Sequence, residues 1–330
     1  MKPALFTLLP EEYVATPDGM EIDKNGDLIV SCPNFADRKM PGCIIRITKD
    51  MQISKWFDVM PHPETGLARN MGIAFDKDYN LYICDNQGWY EEEENIFKGR
   101  VLKVIFNDDR TVKETIIVAD QMEHPNGIRI KGDYMYLTQS YLHRQKTESG
   151  KLMSCVYRFR LDDKGIVVKN TLEDENIFCT FITENPDCQY GADGIVFGPD
   201  GNLYVGNFGD GEVVKVIVDE KGDYVSQETY ARDFSKLEST DGMIFDDKGN
   251  LYVADFCANA IAQITPDREV IRYAQSPDCD GFDGGLDQPG EPIIWQGKLI
   301  ASCFDLVTGP GKVNTAHEIP ATMAQLELPS

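Results

Sequence analysis

The sequence contains no Cys-x-x-Cys pair, no His-x-x-x-His pair, and no apolar run near the roughly 18 residues that a membrane helix needs. Its nine cysteines are scattered through 330 residues, which argues against a disulfide framework and against a thiolate zinc site. The opening MKPALFTLLPEEYV also lacks the long apolar stretch of a signal peptide. We therefore expect a cytoplasmic protein with no membrane partner.

Basic residues are scarce, since 32 Lys and Arg face 55 Asp and Glu and leave a net charge of -23. Nucleic-acid binding rests on clustered basic side chains that replace phosphate counterions, so a nucleic-acid partner is not expected. An acidic excess commonly serves solubility, but it also fits carboxylates gathered around a cation. The positions of the acids decide between these two interpretations.

A repeat with intervals of 48 to 67 residues runs through the chain. Each copy has a short strand, a tight turn and a second strand, as in ADGIVFGPDGNLYVGN (192–207) and TDGMIFDDKGNLYVAD (240–255). We call the equivalent residues near the start of each copy the lead positions. They are Asp18, Met71, Asn126, Asp193, Asp241 and Glu291.

Third strands such as GRVLKVIF and fourth strands such as VIRYAQ complete the copies. Four strands per copy, rich in β-branched and aromatic residues, predict an all-β, six-bladed β-propeller with four antiparallel strands per blade. The sixth copy ends after its third strand, and the N-terminal ALFTLLPEE is predicted to supply the fourth. The prediction is a single domain over residues 1–330.

The fourth copy contains two Asp-Gly pairs with different predicted roles. Asp200-Gly201 is predicted to form the hairpin turn between the first two strands. Asp193-Gly194 lies at the start of the first strand, where an Asx-turn is the purely structural interpretation.

The lead positions taken together favour a metal site, because five of the six are oxygen donors that the topology should bring together. Crowded carboxylates repel one another unless a cation neutralises them. An all-oxygen set favours one divalent cation, Ca²⁺ first, with Mg²⁺, Mn²⁺ or Zn²⁺ as alternatives. The predicted metal ligands are Asp18, Asn126, Asp193, Asp241 and Glu291.

Long loops after the second strands should surround the same region and form a pocket for a small-molecule substrate. These loops carry Phe35, Trp89, Tyr90, Tyr141 and His143. The predicted substrate-binding residues are Trp89, Tyr141 and Asn70, and His143 is a candidate proton carrier. Ordinary loop packing is the better explanation of each aromatic when it is taken alone.

The order and spacing of HPNG around Asn126, GADG around Asp193, GPDGNLYVGN and DDKGNLYVAD resemble a known superfamily over essentially the whole chain. It is the superfamily of senescence marker protein, gluconolactonase and luciferin-regenerating enzyme, which also includes diisopropyl fluorophosphatase. The resemblance implies a divalent cation held by a Glu from the first blade, Asn residues from the second and third, and an Asp from the fourth.

The resemblance carries these ligands to Asn126 and Asp193 directly, to Asp18 as a shorter acid, and to Met71, which is not a ligand for a hard ion. Asp241 or Glu291 would then complete the shell. The resemblance also implies that Asp193 is catalytic, as a general base or as a nucleophile.

Three functional hypotheses follow from these observations. The first is a metal-dependent hydrolase, a gluconolactonase-like lactonase that opens a small, sugar-derived lactone with water. The second is hydrolysis of a phosphotriester or another ester at the same site. The third is a non-catalytic, calcium-binding propeller scaffold, because a propeller fold alone does not define a function.

Overall fold

The computed structural model describes residues 1–309 and 312–329. Positions 310 and 311, in the predicted long loop of the sixth copy, and position 330 lie outside the described residues. The regular structure is β-strand, apart from two 3₁₀ turns, Phe208–Asp210 and Phe256–Ala258. The predicted all-β class is therefore confirmed.

The strands follow the repeat closely. The N-terminal strand is β1 (Ala4–Leu8). The first three copies contain β2 (Met20–Ile22), β3 (Leu28–Cys32), β4 (Cys43–Ile47), β5 (Ile53–Asp58), β6 (Asn70–Phe75), β7 (Leu81–Asp85), β8 (Gly99–Phe106), β9 (Val112–Met122), β10 (Pro125–Lys131), β11 (Tyr134–Gln139), β12 (Met153–Arg160), β13 (Ile166–Val167) and β14 (Ile177–Ile182). The last three contain β15 (Ala192–Phe197), β16 (Leu203–Asn207), β17 (Glu212–Val218), β18 (Tyr224–Arg232), β19 (Met243–Phe245), β20 (Leu251–Asp255), β21 (Ala260–Ile264), β22 (Val270–Gln275), β23 (Pro289–Trp295), β24 (Lys298–Cys303) and β25 (Thr322–Glu327).

These strands form six sheets, one for each copy, in the arrangement of a six-bladed β-propeller, as predicted. Five sheets have four strands. The sheet of the second copy has a fifth, because the short β13 from the third copy pairs in parallel with β9. The sequence did not predict this added strand, which is only two residues long and lies within the longest interval of the repeat.

The sixth sheet has the order β1-β25-β24-β23. Its outer strand is β1, which pairs antiparallel with β25 from Ala4 opposite Gln325 to Leu8 opposite Thr322. The prediction that the N-terminal segment completes the last blade is confirmed. The edge of β25 is thereby covered by backbone hydrogen bonds.

The turn after the first strand supports the predicted role of the second Asp-Gly pair. Gly201 has a φ of 80°, in the left-handed region that glycine adopts without steric cost. Asp200 Oδ1 accepts a hydrogen bond from the Asn202 amide at 3.1 Å, and Tyr204 donates its hydroxyl to Asp200 Oδ2 at 3.0 Å. This pair therefore belongs to the hairpin turn.

The chain divides into two compact units. Unit 1 contains residues 1–20, 34–38 and 193–330, and unit 2 contains residues 21–33 and 39–192. Each has an aliphatic core between the faces of its own sheets. In unit 1 the core includes Val196, Val253 and Ile264. In unit 2 it includes Ile44 and Leu102.

The nine cysteines form no disulfide within the described residues. Within the described residues, no helix has the length and apolar character needed to cross a membrane.

Candidate functional site

Unit 1 holds four of the six lead residues. Asp193 and Glu291 lie in the first strands β15 and β23, whereas Asp18 and Asp241 lie two residues before β2 and β19. The side chains of Asp18 and Asp193 are buried, with 6% and 4% of their surface exposed. Asp241 and Glu291 are half-buried.

Glycines beside these acids allow the first strands to approach closely. A Cβ atom built on Gly194 would overlap the main-chain oxygen of Asp241, and one built on Gly242 would overlap the carboxylate of Glu291. A Cβ on Gly290 would lie 3.1 Å from Asp18 Oδ1. The glycine of the first Asp-Gly pair therefore makes room for the neighbouring lead residue, a different role from that of Gly201.

Burial and the charges of neighbouring lead acids raise the pKa values of Asp18, Asp193 and Asp241. Burial, followed by the charge of Glu291, raises the pKa of Asp18 to about 7. Burial and the charges of Asp18 and Glu291 hold the pKa of Asp193 well above its usual range. The pKa of Asp241 is raised by burial first and then by Asp193. A cation bound among these groups would favour their ionised forms.

The lead acids suit a cation through their charge, oxygen chemistry and burial rather than through a tight preformed triad. In the described residues, the three acids whose ligand atoms lie within 4.8 Å of one another are a separate group, Asp287, Asp305 and Glu318. A hard ion on the lead acids would take part of its shell from water, as Ca²⁺ commonly does.

Four phenylalanines form a connected group in unit 1, and each follows the second strand of its copy. The ring centroids lie 5.8 Å apart for Phe208 and Phe256, 5.6 Å for Phe256 and Phe304, and 6.0 Å for Phe304 and Phe35. The position of a Cβ on Gly290 is 3.7 Å from the Phe304 ring as well as close to Asp18. The aromatic group therefore borders the lead acids and supplies an apolar wall.

Unit 2 has no acid at its two lead positions. Met71 is buried in β6, and its neighbour Asn70 is fully buried. The Asn70 amide donates to Ser31 Oγ at 2.7 Å and to the Cys43 oxygen at 3.0 Å. These bonds connect β6 to the preceding sheet, so the side chain has a structural task, and its role in substrate binding stays a prediction.

Asn126, the second lead residue of unit 2, is buried in β10. Its Nδ2 donates to the Tyr190 hydroxyl at 3.1 Å and faces Ser140 Oγ at 3.4 Å. Both bonds use the amide nitrogen, which leaves the oxygen as the atom for a cation. Its place in a metal shell stays a prediction.

The predicted substrate-binding aromatics Trp89 and Tyr141 meet around His124. The imidazole centroid lies 4.6 Å from Tyr141 and 5.8 Å from Trp89, and His124 Nε2 is 2.7 Å from the Tyr190 hydroxyl. Burial, followed by the charge of His143, lowers the pKa of His124 to about 3. His124 is therefore neutral at physiological pH.

His143 is more exposed and is held by a buried carboxylate. Its Nδ1 lies 2.5 Å from Glu123 Oε1, and its backbone amide donates to Glu123 Oε2 at 3.0 Å. The hydrogen bond to Glu123 raises the pKa of His143 above its ordinary value. Tyr141 stacks on the imidazole with a centroid separation of 4.8 Å. A carboxylate-backed imidazole is suited to proton transfer.

The sequence analysis missed several of these residues. They are Glu123, His124, Tyr190, Phe208, Phe256 and Phe304. The three phenylalanines had a signal, since NF, DF and CF each follow a second strand at the same point of the repeat. Glu123, His124 and Tyr190 come together through folding and had no repeated signal.

Known proteins resemble this chain in the sequence of one segment and in fold. Residues 192–280 match the profile of the family described as SMP-30/Gluconolactonase/LRE-like region. A search of curated protein sequences finds no match.

Among solved structures, the chain is similar to luciferin-regenerating enzyme, with a TM-score of 0.65, 12% identity, and coverage of 98% of this chain and 95% of that one. A gluconolactonase from Xanthomonas campestris gives a TM-score of 0.58 at 13% identity, with coverage of 98% and 94%. A calcium-binding protein, regucalcin, from Agrobacterium tumefaciens gives 0.58 at 12%, with coverage of 97% and 92%. The predicted resemblance is thereby confirmed: residues 192–280 carry an SMP-30/gluconolactonase/LRE-like region within a six-bladed β-propeller.

Proposed function

We propose that the protein is a metal-dependent hydrolase that opens a small, sugar-derived lactone. The observation that carries this proposal is the crowding of four lead acids in unit 1 beside a phenylalanine wall. The matched family and the gluconolactonase of similar fold support the same reaction class. Asp18, Asp193, Asp241 and Glu291 are the side chains that would hold the divalent cation, with Ca²⁺ the best match to their chemistry.

The bound cation would supply positive charge that polarises the lactone carbonyl and keeps the surrounding carboxylates ionised. Asp193 then acts as the general base and accepts a proton from water while the water oxygen attacks the carbonyl carbon. The bond between the carbonyl carbon and the ring oxygen then breaks, and Asp193 returns its proton to the ring oxygen, which becomes the hydroxyl of the hydroxy acid. Phe256 and Phe304 exclude bulk water from the apolar side of the substrate.

A non-catalytic calcium-binding scaffold is the second candidate, and one observation favours it. The second lead position is occupied by the buried Met71, and the neighbouring Asn70 amide is committed to Ser31 and Cys43. This candidate predicts metal binding without turnover of any lactone or phosphotriester.

The first experiment measures hydrolysis of a panel of sugar lactones after chelation and after Ca²⁺ is restored. The Asp193→Asn variant should lose at least about 100-fold in kcat, because the proton acceptor is removed while the shape is retained. Asp200→Asn is the matched control, since it alters the turn Asp-Gly pair of the same sheet. It should keep its activity.

Metal content measured on the same samples separates the candidates. Calcium-dependent lactone hydrolysis that is lost in Asp193→Asn and kept in Asp200→Asn supports the proposal. Bound metal without turnover supports the scaffold. Phosphotriester turnover without lactone turnover changes the substrate class, and equal activity in both variants removes Asp193 from the mechanism.

A further inference from the structure

A second acidic group lies in the sixth copy and contains none of the lead residues. It consists of Asp287, in the loop before β23, and of Asp305 and Glu318, in the loop between β24 and β25. One ligand oxygen from each lies within 4.8 Å of the others. Two oxygens bound to one Ca²⁺ can be at most about 5 Å apart, whereas the shorter bonds of Mg²⁺ require about 4 Å.

Buried oxygens without hydrogen-bond partners concentrate in this group. Nine buried side-chain nitrogen or oxygen atoms in the described residues have no partner, and four belong here. They are both carboxylate oxygens of Asp287, Oδ1 of Asn314 and Oε2 of Glu318. Asp287 and Asn314 are only 1% and 2% exposed, so bulk water does not compensate them.

Asn314 connects its unsatisfied oxygen to the acidic group. Its Nδ2 donates to Asp305 Oδ1 at 3.1 Å, which fixes the amide beside the acids and leaves Oδ1 as an acceptor. Asp305 Oδ2 accepts the Glu318 amide at 2.8 Å. The buried amide oxygen of Asn314, on a side chain hydrogen-bonded to Asp305, is a neutral ligand of the type that Ca²⁺ takes.

The loops hold Asp287 in place. The Leu286 amide donates to Ser276 Oγ at 2.8 Å, and the Gln288 amide donates to Asn259 Oδ1 at 3.0 Å. With both neighbours fixed, the Asp287 carboxylate is held in its buried position. Burial, followed by the charges of Asp305 and Glu318, raises its pKa to about 8.

The charge balance of the group calls for a divalent cation. In the described residues the trio has one cationic partner, His317, whose Nδ1 lies 3.0 Å from Asp305 Oδ2. When the three acids and His317 are ionised, two negative charges remain. We propose that Asp287, Asp305, Asn314 and Glu318 form a second Ca²⁺ site that joins the loop before β23 to the loop between β24 and β25. Phe304 of the aromatic wall immediately precedes Asp305, so the site would also order that wall.

The test uses the whole chain, Ca²⁺ as the probe, and the Asp193→Asn background, in which the lead site is impaired. Equilibrium dialysis should find one equivalent of Ca²⁺ that is lost when Asp287→Asn is added. The matched control is Asp283→Asn, which removes the same charge from an exposed position in the same loop. It should retain the ion.

Thermal unfolding of the same proteins shows whether Asp287→Asn is folded. Without calcium, this variant should be about as stable as its parent, because the substitution keeps the shape of the side chain and removes a carboxyl whose charged form is disfavoured by burial and by its acidic neighbours. Its melting temperature should then fail to rise on adding Ca²⁺, whereas that of Asp283→Asn rises by several degrees. Equal Ca²⁺ binding and equal thermal response in the two variants would overturn the proposal. The result is independent of whether lactones are hydrolysed.

Discussion

The buried acids Asp85 and Glu123 of unit 2 and the lead acids of unit 1 are balanced in different ways. In unit 2, Asp85 is fully buried and accepts hydrogen bonds from Arg100 Nε, the Arg69 amide and Gln87 Nε2, each at 2.7 Å. Glu123 is likewise paired with His143. These carboxylates have their counter-charges within the protein.

The lead acids of unit 1 act mainly on one another. The charges that raise the pKa values of Asp18, Asp193 and Asp241 come from other members of the same set. A buried acid paired with arginine has its charge compensated, and losing the arginine would destabilise the folded chain, whereas crowded acids store repulsion. The difference indicates where a binding site lies, because stored repulsion is relieved when a cation binds.

The largest expected effect is in unit 2, where Arg100→Ala should lower the free energy of unfolding by about 3 to 5 kcal/mol, because Asp85 would remain buried without its counter-charge. Urea unfolding measures the loss. Arg160→Ala is the control, since its pair with Asp162 is exposed and its loss should leave the free energy of unfolding almost unchanged. A small loss for Arg100→Ala would show that Asp85 does not depend on Arg100 for its counter-charge, and the contrast with the lead acids would fail.

The next effect is a pH dependence of the free energy of unfolding that is expected from Asp18 in unit 1. In the presence of a chelator, the stability of the wild type should fall as pH rises from about 4 to about 7, because the folded state retains the Asp18 proton to about pH 7. Linkage limits this contribution to about 4 kcal/mol. Asp18→Asn should reduce the fall, and so should saturating Ca²⁺ in the wild type.

Urea unfolding at several pH values measures the Asp18 effect. Asp247→Asn, which removes an exposed acid of the same unit, serves as its control and should keep the wild-type slope. If stability falls with pH as steeply in Asp18→Asn as in the wild type, the result contradicts the proposed repulsion among the lead acids.

The smallest effect concerns the pKa values of two of the three histidines of unit 2, His124 and His143, of which His143 is paired with a carboxylate. In an NMR titration, His143 should show a pKa above 6.5, and Glu123→Gln should move it back toward that value. His124, whose pKa is about 3, should not titrate between pH 5 and 8 and serves as the internal reference. Titration of His124 between pH 5 and 8 would mean that water reaches its imidazole.

The repeat in the sequence was sufficient to predict the fold. Lead residues, turn glycines and alternating apolar strands recur at fixed places, and β1 was predicted because the sixth copy lacked a strand. The strand β13 could not be predicted, because its pairing with β9 depends on tertiary contact rather than on a pattern.

The site was less predictable than the fold. The lead acids share a repeat position, so their clustering in unit 1 followed from topology. The acidic group around Asp287 has no such regularity, since its members come from two irregular loops of unequal length. Likewise, the Asn70 amide donates hydrogen bonds to Ser31 and Cys43, and the sequence alone does not show these contacts.

The pairing of β1 with β25 has a consequence for how the protein is made. A ribosome releases residues 4–8 roughly 15 to 60 seconds before residues 322–327, so β1 waits that long for its partner β25. A chain cut short before residue 322 leaves both β1 and the outer edge of β24 without their partner strand. The sheet that contains β1 therefore forms only in chains that extend through β25, and shorter products should be more sensitive to cellular proteases.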